Sequence, residues 1–250
     1  MRFPSAVSST FPVTRWSVIA AVAAGGDCAA ARAALSELCR LYWIPLYTFA
    51  RRKNLSPEDA EDATQGFLLG VLESQFLASA DPALGRLRSF LLTAFSRHLI
   101  NLHREAGRLK RGGAVEFIPL DFGDAESRYQ SAPQSQDAAL QFESDWAAAV
   151  LEAAIIQIEA DYAASGRSEI FAGLRPFLGG GGEIPDQAEL AARLGMSHAA
   201  LRQSLVRLRD RFRSVLRAQI ADTLRNPTES AIDEELRALR AVLSESSSRL

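Results

Sequence analysis

Asp186–Arg217 reads DQAELAARLGMSHAALRQSLVRLRDRFRSVLR, and the fold reading starts from this stretch. Ala188, Leu190, Ala191 and Leu194 fall at helical spacing and run into Gly195, a residue that leaves a helix with positive φ at little steric cost. Ser197 follows as an N-cap, because its hydroxyl can accept from a free N–H of the next turn. Leu201, Leu205, Leu208, Phe212, Val215 and Leu216 then recur three and four apart, which is one apolar stripe on a long helix. The other faces carry Arg202, Arg207, Arg209, Arg211, Arg213 and Arg217 against a single acid, Asp210. A helix, a short turn with Gly and a basic second helix predict a helix-turn-helix, with the first turns of the second helix at DNA base edges. The bland reading of the same pattern is an αα-hairpin with a solvated Arg face.

Working outward, the whole chain has 250 residues, 48% of them hydrophobic, enough for one large or two small domains with real cores. Long Ala/Leu/Arg/Glu periods and few β-branched runs predict an all-α fold. The net charge of −2 says nothing by itself about nucleic acid, but the positive charge is clustered. Arg86, Arg88, Arg97, Arg104, Arg108, Lys110 and Arg111 crowd one segment against Glu105 alone, while acids collect at 58–62 and along 121–145. Two basic patches on a mildly acidic chain predict localised phosphate contact. Cys28 and Cys39 have no zinc-type spacing and read as buried thiols in a reducing compartment. No apolar run is long enough for a membrane span, and Val18–Ala24 is too short for a signal-peptide core, so the expected location is cytoplasmic.

Taken in order, residues 1–13 read as a loose N-terminus. Thr14 can cap one helix and Asp27 the next, whose apolar positions run from Ala31 to Ala50, with Pro45 expected to kink or restart it. Ser56-Pro57-Glu58-Asp59 is a helix start with cap, Pro and first-turn acids, predicting a helix over 57–75 that buries Ala60, Ala63, Phe67 and Val71. Arg86–Lys110 is the next helix, its buried stripe Leu87, Phe90, Leu91, Ala94, Phe95, Leu99 and Leu102. His98 and His103 are five apart, wrong for ligation from one face, and read as surface or DNA-adjacent histidines. Residues 114–141 lack a period and read as an irregular linker. Residues 144–163 form a helix with Trp146, Val150, Ala154 and Ile158 inward, followed by a short helix around Ile170–Phe177. After Asn226-Pro227 a last helix carries Ile232, Leu236, Leu239, Val242 and Leu243 behind a Ser230/Asp233 capping box, and it is expected to pack on the domain it follows or to bind a regulator in trans.

The order of these parts resembles an extracytoplasmic-function (group 4) sigma factor of the sigma-70 family of bacterial RNA polymerase, over about residues 14–220. Asp59-Ala60-Glu61-Asp62-Ala63-Thr64-Gln65-Gly66-Phe67 matches the family's DAEDLVQEVF-like motif, Leu87 to Arg104 its FRAWLYTIARNLALDLLRR-like run, and Leu190 to Arg209 its IAELLGISEGTVKSRLHRAR-like run. The resemblance implies a sigma-2-like domain at 14–113, the linker at 114–141, a sigma-4-like helix-turn-helix domain at 142–225 and a C-terminal helical extension at 226–250. It implies that Glu61, Asp62 and Gln65 dock on core RNA polymerase. It implies contacts to the −10 element of promoter DNA from Arg86, Arg88, Arg97, Asn101, Arg104, Arg108 and Lys110, with a flipped base held by the loop 76–86. Ser197, His198, Arg202, Gln203 and Arg207 would bind the −35 duplex. Gly66 stands where the family has an acid and Thr64 where it has an apolar residue. Members of this type occur beside Ser/Thr kinases, so a phosphate on Thr64 would restore the missing charge. A regulator, an anti-sigma factor or such a kinase, is the further partner implied.

The competing reading is a stand-alone helix-turn-helix transcriptional regulator, which would bind duplex DNA tightly without polymerase. No Gly-rich phosphate loop, metal cluster or Ser/His/Asp grouping is legible, so neither an enzyme, nor a cofactor, nor a metal is expected.

Overall fold

The computed structural model of the chain describes residues 28–73, 86–106, 123–131, 137–179, 183–224 and 226–247. All regular structure among them is helical. In chain order the helices are α1 (Cys28–Arg52), α2 (Pro57–Glu73), α3 (Leu87–Ala106), α4 (Gly123–Ser131), α5 (Ala138–Ala164), α6 (Ser168–Leu174), α7 (Gln187–Arg193), α8 (His198–Thr223) and α9 (Glu229–Ser247), with a 3-10 turn at Arg175–Leu178 after α6. Two compact units emerge, one of Met1–Ala147 with Ala221–Leu250 and one of Ala148–Ile220. The proposed N-terminal helix capped by Thr14 lies outside the described residues.

In the first unit, α1 runs on through Pro45 as one helix and does not restart there. Proline lacks the N–H that would bond one turn back. Here Leu38, Leu41, Tyr42, Leu46 and Ala50 are buried on both sides of it and keep the segment packed as helix. The Thr48 hydroxyl, which donates to Asp145 Oδ2 at 2.5 Å, also lies 3.2 Å from the Pro45 carbonyl. The helix closes with Asn54 at φ 66°, the left-handed conformation that Asn tolerates better than most residues. α2 starts as its sequence predicts: the Asp59 N–H donates to Ser56 Oγ at 3.1 Å. Ala60, Ala63, Phe67, Leu68 and Val71 are buried. Their neighbours on α3 are Leu87, Leu91, Ala94 and Phe95, with Phe67 and Phe95 rings 5.0 Å apart. Phe49 completes the aromatic centre at 6.2 Å from Phe95 and 6.5 Å from Phe142. Cys39 is buried as expected, and burial pushes its thiol up to about 11. His98 departs from its surface reading. It is half-buried, its ring 5.7 Å from Phe67 and 6.3 Å from Phe95.

Part of the expected irregular linker is ordered helix. α4 docks on α1 through Glu126, which accepts from Tyr47 Oη at 2.6 Å and from Arg51 Nε and Nη2 at 3.0 Å each. The Arg51 guanidinium also lies 4.6 Å from the Tyr129 ring centroid. A short helix held by one carboxylate, one ring and the buried Ala125 leaves almost no apolar period to read. α5 likewise starts earlier than expected, at Ala138, where Asp137 Oδ1 accepts from the Ala139 N–H at 3.3 Å. Phe142, Asp145 and Trp146 from its first turns are buried in this unit.

α9 belongs to the first unit rather than to the segment it follows. Its cap is Thr228, not Ser230: the Ala231 N–H donates to Thr228 Oγ1 at 3.2 Å and the Ile232 N–H to the Thr228 carbonyl at 3.0 Å. The physical reason is distance from Pro227. Thr228 is the first residue after it able to take the half-helical cap position. Ile232 and Leu239 are buried as predicted, and so is Glu235, one turn along the same face.

The second unit is built on α8. Leu201, Leu205, Leu208 and Val215 bury the predicted stripe against Ala154 and Ile158 of α5, Phe171 and Leu174 of α6 and Leu190 and Ala191 of α7. Gly173 lets α6 and α7 approach closely: a Cβ there would sit 2.8 Å from Leu190 Cδ1, so that leucine would have to shift.

Candidate nucleic-acid interface

Asp186 fixes where α7 begins. Its Oδ1 accepts from the N–H groups of Ala188 at 2.8 Å and Glu189 at 3.1 Å. Those two bonds hold its carboxyl below the usual carboxylate range. α7 ends at Leu194, and Gly195 turns the chain at φ 63°, with the Met196 N–H donating to the Ala191 carbonyl at 2.9 Å. Ser197 then caps α8: its Oγ accepts from the Ala200 N–H at 3.2 Å. The Gly195 turn and the Ser197 cap follow from residue types that the sequence singled out.

With Leu201, Leu205 and Leu208 anchoring one side of α8, the opposite side is solvent. Ser197, His198, Arg202, Gln203 and Arg207 are all exposed, as is Arg209. At about 100° per residue, His198, Arg202 and Arg209 share one edge of that side while Gln203 and Arg207 share the other. Two further arginines are engaged. Arg211 donates to Asp161 Oδ2 through Nη2 at 2.6 Å, and Arg213 lies 3.0 Å from Asp210 Oδ1. Arg202, Arg207 and Arg209 have no carboxylate partner among the described residues. Val206 stands between them, more than half exposed. The arrangement offers guanidinium forks, one amide, one hydroxyl and one apolar contact along about three helical turns, groups able to meet phosphates, base edges and a thymine methyl.

The first basic patch is divided. Arg97, Asn101 and Arg104 are exposed on α3, and Arg97 and Asn101 line a cavity of about 390 Å³ shared with Gly66, Phe67 and Gly70 of α2. Arg88 departs from its expected role. It is buried, its Nε 2.5 Å from Glu143 Oε2, Nη1 against Glu235 and guanidinium 4.4 Å from the Trp146 ring centroid. Arg86, at the start of the same helix, is 3.1 Å from Glu235 Oε2. Arg108 and Lys110 lie outside the described residues, as does most of the loop 76–86.

The acidic helix is also divided. Glu58 and Asp62 are exposed one turn apart, and Glu61 is half-buried. Gln65 is buried and its Nε2 has no hydrogen-bond partner, so it is not on the docking face with Asp62. Thr64 is fully buried, and its hydroxyl donates to the Ala60 carbonyl at 2.7 Å. A kinase cannot reach it in this fold, and the phosphate expected there is withdrawn. Ala60, Thr64, Phe67 and Val71 are spaced four, three and four, so the apolar period of α2 itself marks Thr64 as inward.

Glu143 and Glu235 are the residues that the sequence reading missed. Glu235 was legible in part, since Ile232, Glu235, Leu236 and Leu239 keep helical spacing and an acid at a stripe position demands a buried partner. Among the described residues no group of three or more His, Cys, Asp or Glu could hold a metal ion, and no helix is long and apolar enough to cross a membrane.

No protein-family model matches the chain, and neither the curated proteins nor the solved structures contain a significant match to it.

Proposed function

We propose that the chain is an RNA polymerase sigma factor: it binds core polymerase and directs promoter recognition and transcription initiation. The observation that carries the reading is the free basic side of α8, with Ser197, His198, Arg202, Gln203 and Arg207 exposed behind the Gly195 turn. In that role α8 enters the major groove of the −35 element. Arg202, Gln203 and Arg207 read base edges, and Ser197 and His198 hold the phosphate backbone. Arg97, Asn101 and Arg104 on α3 contact the −10 strand, with Arg108 and Lys110 further along the same segment. The polymerase docks on the exposed acids Glu58 and Asp62 of α2 with Glu61 at their edge, and no longer on Gln65. This division of labour is supported by two basic surfaces and one acidic one, each exposed at its central residues.

Gel filtration of the purified chain with bacterial core RNA polymerase tests the reading. Co-elution is expected, and loss of co-elution on Asp62→Arg. Absence of a complex, together with tight duplex binding by the chain alone, would favour the stand-alone regulator instead.

A further inference from the structure

Two of the basic side chains expected to meet DNA already hold an anion. Arg86 and Arg88 converge on the Glu235 carboxylate, whose side chain is only 1% exposed. The Arg88 side chain is 6% exposed, whereas that of Arg86 is 43% exposed. One member of the pair is therefore sealed and the other reachable from solvent. Arg88 keeps its place by other means, with Glu143 on Nε and the Trp146 ring 4.4 Å beneath the guanidinium. Two cations and two carboxylates make the cluster neutral, and removing Glu235 leaves one positive charge on a preformed fork.

We infer that Arg86 and Arg88 form a phosphate site that Glu235 fills in the free chain, and that the backbone of single-stranded DNA displaces α9 from it. The inference rests on the proposed role of α3 as a strand-binding helix. A carboxylate and a phosphodiester each carry one negative charge on two oxygens that match a guanidinium fork, so the exchange is charge for charge. Burying an ion pair is a poor way to brace a helix, since an apolar residue at that position would serve at least as well. Glu235 instead keeps the cation pair soluble and in place until a stronger polyanion arrives at Arg86. Elsewhere on α9, Ile232 and Leu239 are buried, while Leu236, Val242 and Leu243 are half-buried.

Hydrogen exchange read by mass spectrometry on the full chain, with and without a single-stranded oligodeoxynucleotide, tests this. Bound oligonucleotide is expected to speed exchange across 229–247. Glu235→Gln is expected to show that faster exchange without DNA and to bind the oligonucleotide about three- to tenfold more tightly. An oligonucleotide that binds while leaving α9 exchange unchanged or slower overturns the inference, as does a folded Glu235→Gln chain that binds no tighter. Should Glu235→Gln not fold, the wild-type exchange result alone decides. The sigma reading fails separately, by absence of the complex with core polymerase, and the displacement of α9 can stand or fall without it.

Discussion

Thr64 and Gln65 lie next to Asp62 in sequence but face the other way. The Thr64 hydroxyl bonds back to the preceding turn, so removing it while keeping shape is cheap: Thr64→Val should change stability by less than about 1 kcal/mol. Thr64→Glu places an unpaired charge among Ala60, Phe67 and Phe95, and should cost several kcal/mol, roughly 3 or more, read as a drop in the urea midpoint. A charge-mimicking variant there would lose activity by unfolding. On α8 the opposite holds. Arg202→Ala and Arg207→Ala should leave stability within about 0.5 kcal/mol, because both side chains are exposed and have no carboxylate partner among the described residues. Each should weaken promoter binding by the chain with polymerase, and a residue on a phosphate should reduce the salt slope by about 1. Arg88 explains why residue type alone misleads. It looked like a DNA contact because it stands in a basic run, and the two acids that claim it are 55 and 147 positions away in the chain, counted from Glu143 and Glu235. Spacing held a warning: Arg88, Leu91 and Phe95 share one helical face.

At the scale of elements, what could be read was whatever a few neighbouring residues decide. Ser56-Pro57 starts a helix where the sequence places it, and Gly195 turns the chain before α8. Gly195→Ala forces a Cβ into the left-handed region and should destabilise the second unit by about 1 kcal/mol, checked by the chemical denaturation midpoint. The space around Gly195 is open, so the loss comes from backbone conformation and not from a clash. What could not be read depended on distant partners. α4 exists because Arg51 and Tyr47, some eighty residues upstream, receive Glu126, and nothing within GDAESRYQS announces them. Pro45 misled for a related reason: the local rule that a helix restarts at proline yields when the residues on both sides of it are buried as helix. The acid at Glu235 belongs with these, a local misfit whose explanation lies on α3.

Across the whole molecule, the first unit carries an acid-sensitive lock. Arg51, with help from Tyr47 and Gln130, holds the Glu126 carboxyl down from the ordinary 4.5 to about 2. A depressed carboxylate stabilises the fold above its unfolded value and loses that contribution as pH falls through the folded one. The window is therefore from about pH 4.5 down to about pH 2, and the stake is of order 1–2 kcal/mol once solvent screening at this partly open site is allowed for. Asp145 works in the other direction. Burial outweighs its bonds from Thr48 and Gln141 and raises its carboxyl, so its protonation on acidification relieves the fold. Glu126→Gln should flatten the loss of stability between pH 5 and pH 2 as followed by circular dichroism, while lowering stability at neutral pH.

The Cys39 thiol offers a timing device. Pushed up to about 11 and sealed among apolar side chains, it is almost never a thiolate that an alkylating reagent can find. Its modification must then wait for the first unit to open, and a pulse of iodoacetamide becomes a count of openings rather than of collisions. Peptide mapping separates it from Cys28. At pH 8 the labelling rate of Cys39 in the folded chain should fall at least a hundredfold, roughly, below that in urea, and should rise in step with any substitution that loosens the aromatic centre around Phe49, Phe67 and Phe95. A single native sulfur atom would thus report, without any added dye, how often this half of the chain comes apart.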